Sequence, residues 1–156
     1  MKLFSFPNRV NERAARVVAG AVVVALTTAY FTRQPALVAA VAAGFAARVA
    51  WGPRFSLLAR GAMAAASRLW PVKPVAGAPK RFAQGIGAAL TLTATGLSAL
   101  GHANLAWWLV GTVVVFASLE AAIGFCAGCF VYAQLQRVGA VGADACVDCV
   151  PARTRD

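Results

Sequence analysis

Apolar residues fall into four long blocks along this chain, and the short segments between the blocks hold almost all of the charge. A helix needs about 20 apolar residues to cross the hydrocarbon core of a bilayer. Blocks that are apolar on every side predict helices that contact lipid, because one small soluble core could not bury them all. The predicted spans cover about 14–31, 36–51, 82–100 and 105–132. The pattern therefore predicts an all-α membrane protein, with a four-helix transmembrane bundle over 1–136 and a tail over 137–156.

The connection between the second and third predicted spans is long and basic. Its first half, Phe55 to Trp70, combines apolar residues with scattered arginines, which predicts an interfacial helix lying along the membrane surface. Its second half, 71–79, holds three prolines and predicts an extended loop. At the start of the chain, Asn11 is placed to cap a helix that begins near Glu12.

The charges predict how the spans are oriented. The first apolar block resembles the core of a signal peptide, but a second block follows closely and no clear cleavage site precedes it, so an uncleaved first span is expected. Every Lys and Arg except Arg33 then lies on one side of the membrane. Since cytoplasmic loops carry the excess of basic residues, we expect that side to be the cytoplasm of a bacterial cell, with both termini inside and the protein in the inner membrane.

The overall composition supports the same class of protein. Of the 156 residues, 60% are hydrophobic, and the mean hydropathy is +0.69, whereas soluble domains are about 45–50% apolar. The net charge of +10 would suggest a nucleic-acid partner in a soluble protein. Here the basic residues flank apolar blocks and suit anionic lipid headgroups, and no basic stretch carries interleaved aromatics for stacking on bases. We therefore expect the lipid bilayer as a partner and no nucleic acid.

The cysteines form two CxxC pairs, Cys126/Cys129 near the inner end of the fourth span and Cys146/Cys149 in the tail. The predicted orientation places all of them on the cytoplasmic side, where thiols are kept reduced, so a structural disulfide is not expected. The spacing within the first pair would place both sulfurs on one face of a continuous fourth helix.

Three interpretations of the cysteines stay open. Two dithiols can exchange a disulfide or a persulfide. The pattern C-x2-C-x16-C-x2-C also fits a site of four thiolates for a soft metal, with zinc as the candidate cofactor. Alternatively, the cysteines in the span can simply pack as small hydrophobic residues.

Two further features surround the first pair. Glu120 is the only acid inside an apolar span, so it should face the bundle interior and either pair with a cation or stay protonated. Arg48, near the same end of the second span, is the predicted partner, and Glu120 either locks the bundle or serves the dithiol as a proton donor or acceptor. The step from Gly124 to Gly128 permits another helix or a ligand to approach beside Cys126.

Four short segments carry a family resemblance: 6–12 (FPNRVNE), 52–56 (GPRFS), 79–87 (PKRFAQGIG) and 124–129 (GFCAGC). Together and in this order they resemble the bacterial membrane-protein family catalogued as domain of unknown function 4395. The resemblance covers nearly the whole chain. It implies a small four-span membrane protein with a CxxC in its last span, and it suggests thioredoxin-like or sulfurtransferase proteins as partners.

The leading prediction is a membrane-anchored dithiol protein. Cys126 or Cys129 would exchange a disulfide or persulfide with Cys146/Cys149, and the tail would pass it to a cytosolic thioredoxin-like or rhodanese-like partner. The alternatives are a protein that binds or transports a soft metal such as zinc, and a non-catalytic membrane scaffold. No cysteine lies on the predicted outer side, so dithiol exchange alone cannot carry electrons across the bilayer.

Overall fold

The computed structural model describes residues 9–52 and 57–141. Over this part the chain is mostly helical, with six helices and two short strands. The elements in chain order are β1 (Arg9–Asn11), α1 (Glu12–Thr32), α2 (Pro35–Trp51), α3 (Leu57–Leu69), β2 (Pro74–Ala76), α4 (Gly77–Ala99), α5 (Ala103–Ile123) and α6 (Ala127–Arg137). The predicted helical character is confirmed for these residues, and the strand pair is an addition that the sequence pattern did not predict.

The strand pair ties the amino-terminal segment to the connection before α4. β1 and β2 run antiparallel, with Val10 opposite Val75. Beside them, the Glu12 N–H donates to the Lys73 carbonyl oxygen at 2.9 Å, and the Lys73 ammonium lies 2.7 Å from the Glu12 carboxylate. The start of α1 and the start of α4 are therefore held next to each other.

The predicted extended loop over 71–79 is wrong in its second half. β2 occupies Pro74–Ala76, and α4 begins directly afterwards at Gly77, earlier than the predicted start at Phe82. Pro79 is compatible with this helix because it lies in the first turn, where a backbone N–H has no partner within the helix. The earlier start brings Lys80 into α4.

The other helix starts follow the predicted local chemistry. The Asn11 side chain accepts a hydrogen bond from the Arg13 N–H at 3.1 Å, so the predicted cap of α1 is confirmed. Pro35 is the first residue of α2, where its missing N–H costs nothing. α3 lies within the stretch predicted to be helical between the second and third spans.

Helices α1, α2, α4 and α5 enclose the hydrophobic core, with α1 packed on α5 and α2 packed on α4. Val22 and Leu26 of α1 meet Val110 and Val113 of α5 in this core. Gly87 allows α4 to pack closely on α2, because a Cβ at this position would lie 2.8 Å from the ring of Phe45.

Among the helices of the described residues, two, α1 and α5, are long and apolar enough to cross a membrane. α2 is apolar but has 17 residues, and α4 has 23 residues but carries Gln84 and several threonines. The fourth predicted span, 105–132, is wrong as one helix, because α5 ends at Ile123 and α6 begins at Ala127. The candidate site lies at this break.

Candidate functional site

Residues 124–126 interrupt the predicted fourth helix between α5 and α6. Gly124 adopts a φ of +74°, a left-handed conformation that glycine tolerates better than any other residue. Its N–H donates to the Glu120 carbonyl oxygen at 3.0 Å, and the Phe125 N–H donates to the Leu119 carbonyl oxygen at 3.3 Å. Such bonds are typical of a helix that ends at a glycine, so α5 stops here and the chain starts a new helix.

Arg16 of α1 holds the carboxyl end of α5. Its Nε donates to the Ala121 carbonyl oxygen at 3.2 Å, and its Nη2 donates to the carbonyl oxygens of Ala121 at 3.1 Å and Ala122 at 2.6 Å. These carbonyls belong to the last turn, where no N–H of the helix reaches them, and a cation suits the negative end of the helix dipole. The packing of α1 on α5 thus fixes the point at which the chain turns toward Cys126.

Cys126 is the N-cap residue of α6. Its backbone is extended, and its Sγ accepts a hydrogen bond from the Cys129 N–H at 3.4 Å. The Cys129 thiol donates to the same sulfur, with the two Sγ atoms 2.7 Å apart, and both cysteines are free and partly buried. The sulfurs are therefore close together, but a cap and the first turn of a new helix bring them there, and the predicted continuous helix is wrong.

These hydrogen bonds make the two thiols unequal. Accepting the hydrogen bond from the Cys129 thiol lowers the pKa of Cys126, and Lys80 and the Cys129 N–H act in the same direction against burial and the charge of Glu120. Donating that bond raises the pKa of Cys129, and burial raises it further. Because the thiolate is the nucleophile, and a helix amino terminus favours it, Cys126 is the candidate nucleophile and Cys129 the candidate resolving cysteine.

A glycine allows α6 to pack closely on the start of α4. A Cβ at Gly128 would lie 2.5 Å from both Cα and Cβ of Ala83, far inside a real contact distance. Beside this contact, the rings of Phe82 and Tyr132 pack with centroids 5.5 Å apart. The predicted close approach of another helix is confirmed at Gly128, whereas Gly124 forms the turn.

Lys80, at the end of the first turn of α4, forms an ion pair with Glu120 of α5. The Lys80 side chain is 9% exposed and the Glu120 side chain 20%. The predicted pairing of Glu120 with a cation is therefore confirmed, but its direct partner is Lys80 rather than Arg48, because α4 begins earlier than predicted. The charge of Lys80 also acts on both cysteines, which places a cation near the candidate nucleophile. The role of Glu120 as a proton donor or acceptor stays a prediction.

Arg48 is buried inside the bundle, with 1% of its surface exposed and its guanidinium carbon 4.6 Å from the centroid of the Phe45 ring. Its Nε and Nη1, like the Oε1 atom of Gln84 on α4, are buried with no hydrogen-bond partner among the described residues. Arg48 is within electrostatic reach of Glu120. Glu120 is therefore the carboxylate that compensates two buried cations, Lys80 directly and Arg48 at longer range.

In a comparison with known families, residues 10–137 match the family described as Domain of unknown function (DUF4395). The match covers most of the chain. The chain belongs to this family. The family resemblance seen in the sequence segments is thus confirmed. No curated protein and no solved structure gives a significant match.

The part of the chain that matches the DUF4395 family includes Cys126 and Cys129 and ends before Cys146 and Cys149. The tail pair lies outside the described residues, so its role in a relay or in a site of four thiolates stays a prediction. Within 9–52 and 57–141, no group of three or more His, Cys, Asp or Glu side chains is placed to hold a metal ion. The described geometry is that of a dithiol, Cys126 with Cys129.

Two residues of the candidate site, Arg16 and Lys80, are not predicted from the sequence. Both belong to basic segments that flank apolar blocks, and the orientation of the spans in the membrane already accounts for basic residues at such positions. A signal for the break itself was present in Gly124, since glycine is the commonest residue just after a helix and CxxC follows it directly. A break at Gly124 would have predicted Cys126 at the start of a helix.

Proposed function

We propose that this protein is a dithiol protein of the bacterial inner membrane, which exchanges a disulfide or a persulfide with a cytosolic thioredoxin-like or rhodanese-like partner. The observation that carries the proposal is the position of Cys126. It caps the amino end of α6, accepts two hydrogen bonds from Cys129 and lies near the cation of Lys80. Low-pKa cysteines of CxxC motifs in thiol oxidoreductases depend on the same physical factors.

The proposed disulfide exchange has two steps. The Cys126 thiolate attacks one sulfur of a partner disulfide, so that a mixed disulfide forms and the other partner sulfur leaves as a thiolate. Cys129 then loses its proton and attacks the Cys126 sulfur, and the partner's remaining cysteine leaves. The partner gains two electrons, and Cys126 and Cys129 become a disulfide. In the proposed relay the Cys146/Cys149 dithiol reduces this disulfide, becomes a disulfide itself and passes it to the dithiol of a cytosolic thioredoxin-like protein.

In the sulfur-transfer form of the proposal, no net oxidation is needed. The Cys126 thiolate attacks the terminal sulfur of a partner persulfide and becomes a persulfide itself, while the partner's cysteine leaves as a thiolate. Passage of that sulfur to the tail pair would repeat the same step. Both forms begin at the Cys126 sulfur, but only the disulfide form joins Cys126 covalently to the partner. The sulfur-transfer form instead leaves a persulfide on Cys126, which peptide mass spectrometry detects after alkylation.

The proposed membrane architecture has α1, α2, α4 and α5 as the four transmembrane helices and α3 as the interfacial helix. In the most apolar 18-residue stretch of α1, 28% is buried within the protein, and in that of α5 the share is 22%. Large apolar side chains such as Val24, Val115 and Ile123 are exposed on these helices, and lipid would cover them. Hydroxyls within the bundle are satisfied without water, since Thr91 and Thr95 donate to carbonyl oxygens of their own helix.

The charge distribution supports placing the dithiol at the cytoplasmic end, with both termini inside. Arg16 and Lys80 lie beside the break, and Arg33 lies in the turn at the other end of α1. The basic residues are therefore concentrated at the end that holds the cysteines, which the positive-inside rule assigns to the cytoplasm. The exposed rings of Phe125 and Phe130, with centroids 6.2 Å apart, offer an apolar contact next to the dithiol for a partner.

Trapping a partner in cells tests this proposal. With Cys129→Ser, in a chain that also carries Cys146→Ser and Cys149→Ser so that no other thiol can resolve it, a mixed disulfide at Cys126 should persist. We therefore expect a covalent complex on non-reducing gels that disappears with a reductant. Serine keeps a hydroxyl donor near the Cys126 sulfur, so the nucleophile stays close to its native environment. Cys126→Ser is the matched control and should trap nothing. A complex that forms equally with both variants contradicts the proposal. A complex with neither variant contradicts the disulfide form, and if Cys126 also carries no persulfide the sulfur-transfer form is contradicted as well. One zinc per chain bound by all four cysteines would favour the metal interpretation instead.

The lowered pKa of Cys126 predicts a pH profile of alkylation. Because the thiolate reacts and its fraction rises as pH passes the pKa, alkylation of Cys126 should reach half its limiting rate at a lower pH than alkylation of an ordinary cysteine. Cys129→Ala removes the donating thiol, which should raise the pKa of Cys126, shift the profile to higher pH and slow alkylation at neutral pH. Iodoacetamide labelling followed by peptide mass spectrometry measures both. A profile that does not move, or that moves to lower pH, contradicts the assignment of Cys126 as nucleophile.

A further inference from the structure

A cleft of about 650 Å³ opens at the end of the bundle opposite the cysteines. The turn between α1 and α2, the last turns of α4 and the first turn of α5 surround it. Small apolar side chains form most of its wall, Ala36 and Ala39 of α2 among them. Its polar residues are Arg33, Thr95, Ser98 and Asn104, and the Thr95 hydroxyl donates to the Thr91 carbonyl oxygen of its own helix. The cleft thus combines an apolar wall with a polar rim.

Arg33 is held at this cleft by two aromatic rings. Its guanidinium carbon lies 5.2 Å from the ring centroid of Tyr30 and 5.2 Å from that of Trp107. Such contacts fix the position of a cation without neutralising it. Within the described part of the chain, no carboxylate forms an ion pair with Arg33. A fixed positive charge therefore faces the cleft with its hydrogen-bond donors available.

An amphiphile with an anionic head matches both halves of this cleft. A phosphate accepts charge-assisted hydrogen bonds from a guanidinium, and the Ser98 hydroxyl and the Asn104 amide can donate to it as well. The amino ends of α2 and α5 add partial positive charge to that of Arg33, because the dipole of a helix is positive at its amino end. The wall around Ala36 and Ala39 suits an acyl chain, which an inorganic anion would leave unused.

We infer that this cleft binds one glycerophospholipid, with its phosphate on Arg33 and an acyl chain along α2. The inference rests on the membrane placement in the proposed function and does not depend on the thiol chemistry. The lipid-binding assay does not depend on thiol chemistry, and the alkylation assay of Cys126 needs no added lipid. A negative result in one assay therefore does not contradict the proposal that the other assay tests.

The test is a titration of the purified full chain in detergent with dioleoyl phosphatidylglycerol, read by native mass spectrometry. Arg33→Gln should weaken binding about fivefold, as expected for the loss of one cation that faces an anionic lipid. Arg137→Gln removes an exposed arginine at the end of α6 and should leave binding unchanged. Equal affinity of wild type and Arg33→Gln would overturn the inference.

Three further arms identify what the cleft recognises. Dioleoylglycerol has the same chains without a phosphate and should bind more weakly than the phospholipid. Inorganic phosphate should not displace the phospholipid, and if it does, the site takes a free anion and the lipid assignment is wrong. Ala39→Leu narrows the cleft at its apolar wall and keeps Arg33, so it should weaken phospholipid binding. Unchanged binding would contradict the placement of an acyl chain along α2. If Arg33→Gln does not fold, Arg33→Lys keeps the charge but loses the planar contact with the rings, and it should still weaken binding.

Discussion

Glu120→Gln is expected to destabilise the protein by about 3 kcal/mol, the lower end of the range for breaking a buried ion pair, because the side chain keeps 20% exposure. The substitution conserves shape but leaves Lys80 and Arg48 in the bundle without their carboxylate. The free energy of unfolding, measured by titration with sodium dodecyl sulfate in mixed micelles, reports the loss.

Two other variants show whether charge compensation is the cause. Lys80→Met removes one of the two cations and leaves Arg48 to compensate Glu120, so we expect a smaller loss, about 1–2 kcal/mol. Glu12→Gln breaks a pair whose lysine, Lys73, is 62% exposed, and a change below about 1 kcal/mol is expected there. If Glu120→Gln is no worse than Glu12→Gln, the ion pair does not stabilise the bundle as described.

Gly128→Ala is expected to separate α6 from α4 and to impair the dithiol. The added methyl group would overlap the backbone of Ala83 at 2.5 Å, and backbone atoms cannot rotate away as a side chain end can. Overpacking of this kind costs about 1–3 kcal/mol. Because α6 carries Cys129 and is capped by Cys126, the displacement should also slow alkylation of Cys126 at neutral pH.

The matched control is Gly85→Ala, in α4. Nothing lies within 4 Å of a Cβ at this position, so the substitution should be neutral or stabilising by up to about 1 kcal/mol through helix propensity. Thermal unfolding in detergent and iodoacetamide labelling compare the two variants directly. The contact between α4 and α6 would be unimportant if both alanine variants behaved alike.

Much of the helical fold was predictable because its causes are local. Asn11 supplies a cap, Pro35 opens a helix, and long apolar blocks give α1 and α5. The strand pair was not predictable from local pattern, because β1 and β2 have three residues each and lie far apart in the sequence. Such short strands gain their stability from each other and from the neighbouring contact of Glu12 with Lys73.

The candidate site was predictable in its cysteines but not in its geometry. Residue spacing alone put Cys126 and Cys129 together, as the structure does. The apolar pattern continues across Gly124 and therefore predicts an unbroken helix, although glycine is the residue most often found just after the end of a helix. Glu120 was correctly expected to find a cation, but the choice of Lys80 depended on where α4 begins, which is set by contacts between distant segments.

The guanidinium of Arg16 joins the first turns of α1 to the last turn of α5, more than a hundred positions later. Cys126, the proposed nucleophile, therefore owes its setting in part to a residue outside the CxxC sequence. A shortened protein that starts at Val17 would keep both cysteines and most apolar residues, yet the carbonyls of Ala121 and Ala122 would lose their donor. We therefore expect tags and truncations at the amino terminus to alter the reactivity of the Cys126 thiol, which lies near the other end of the sequence.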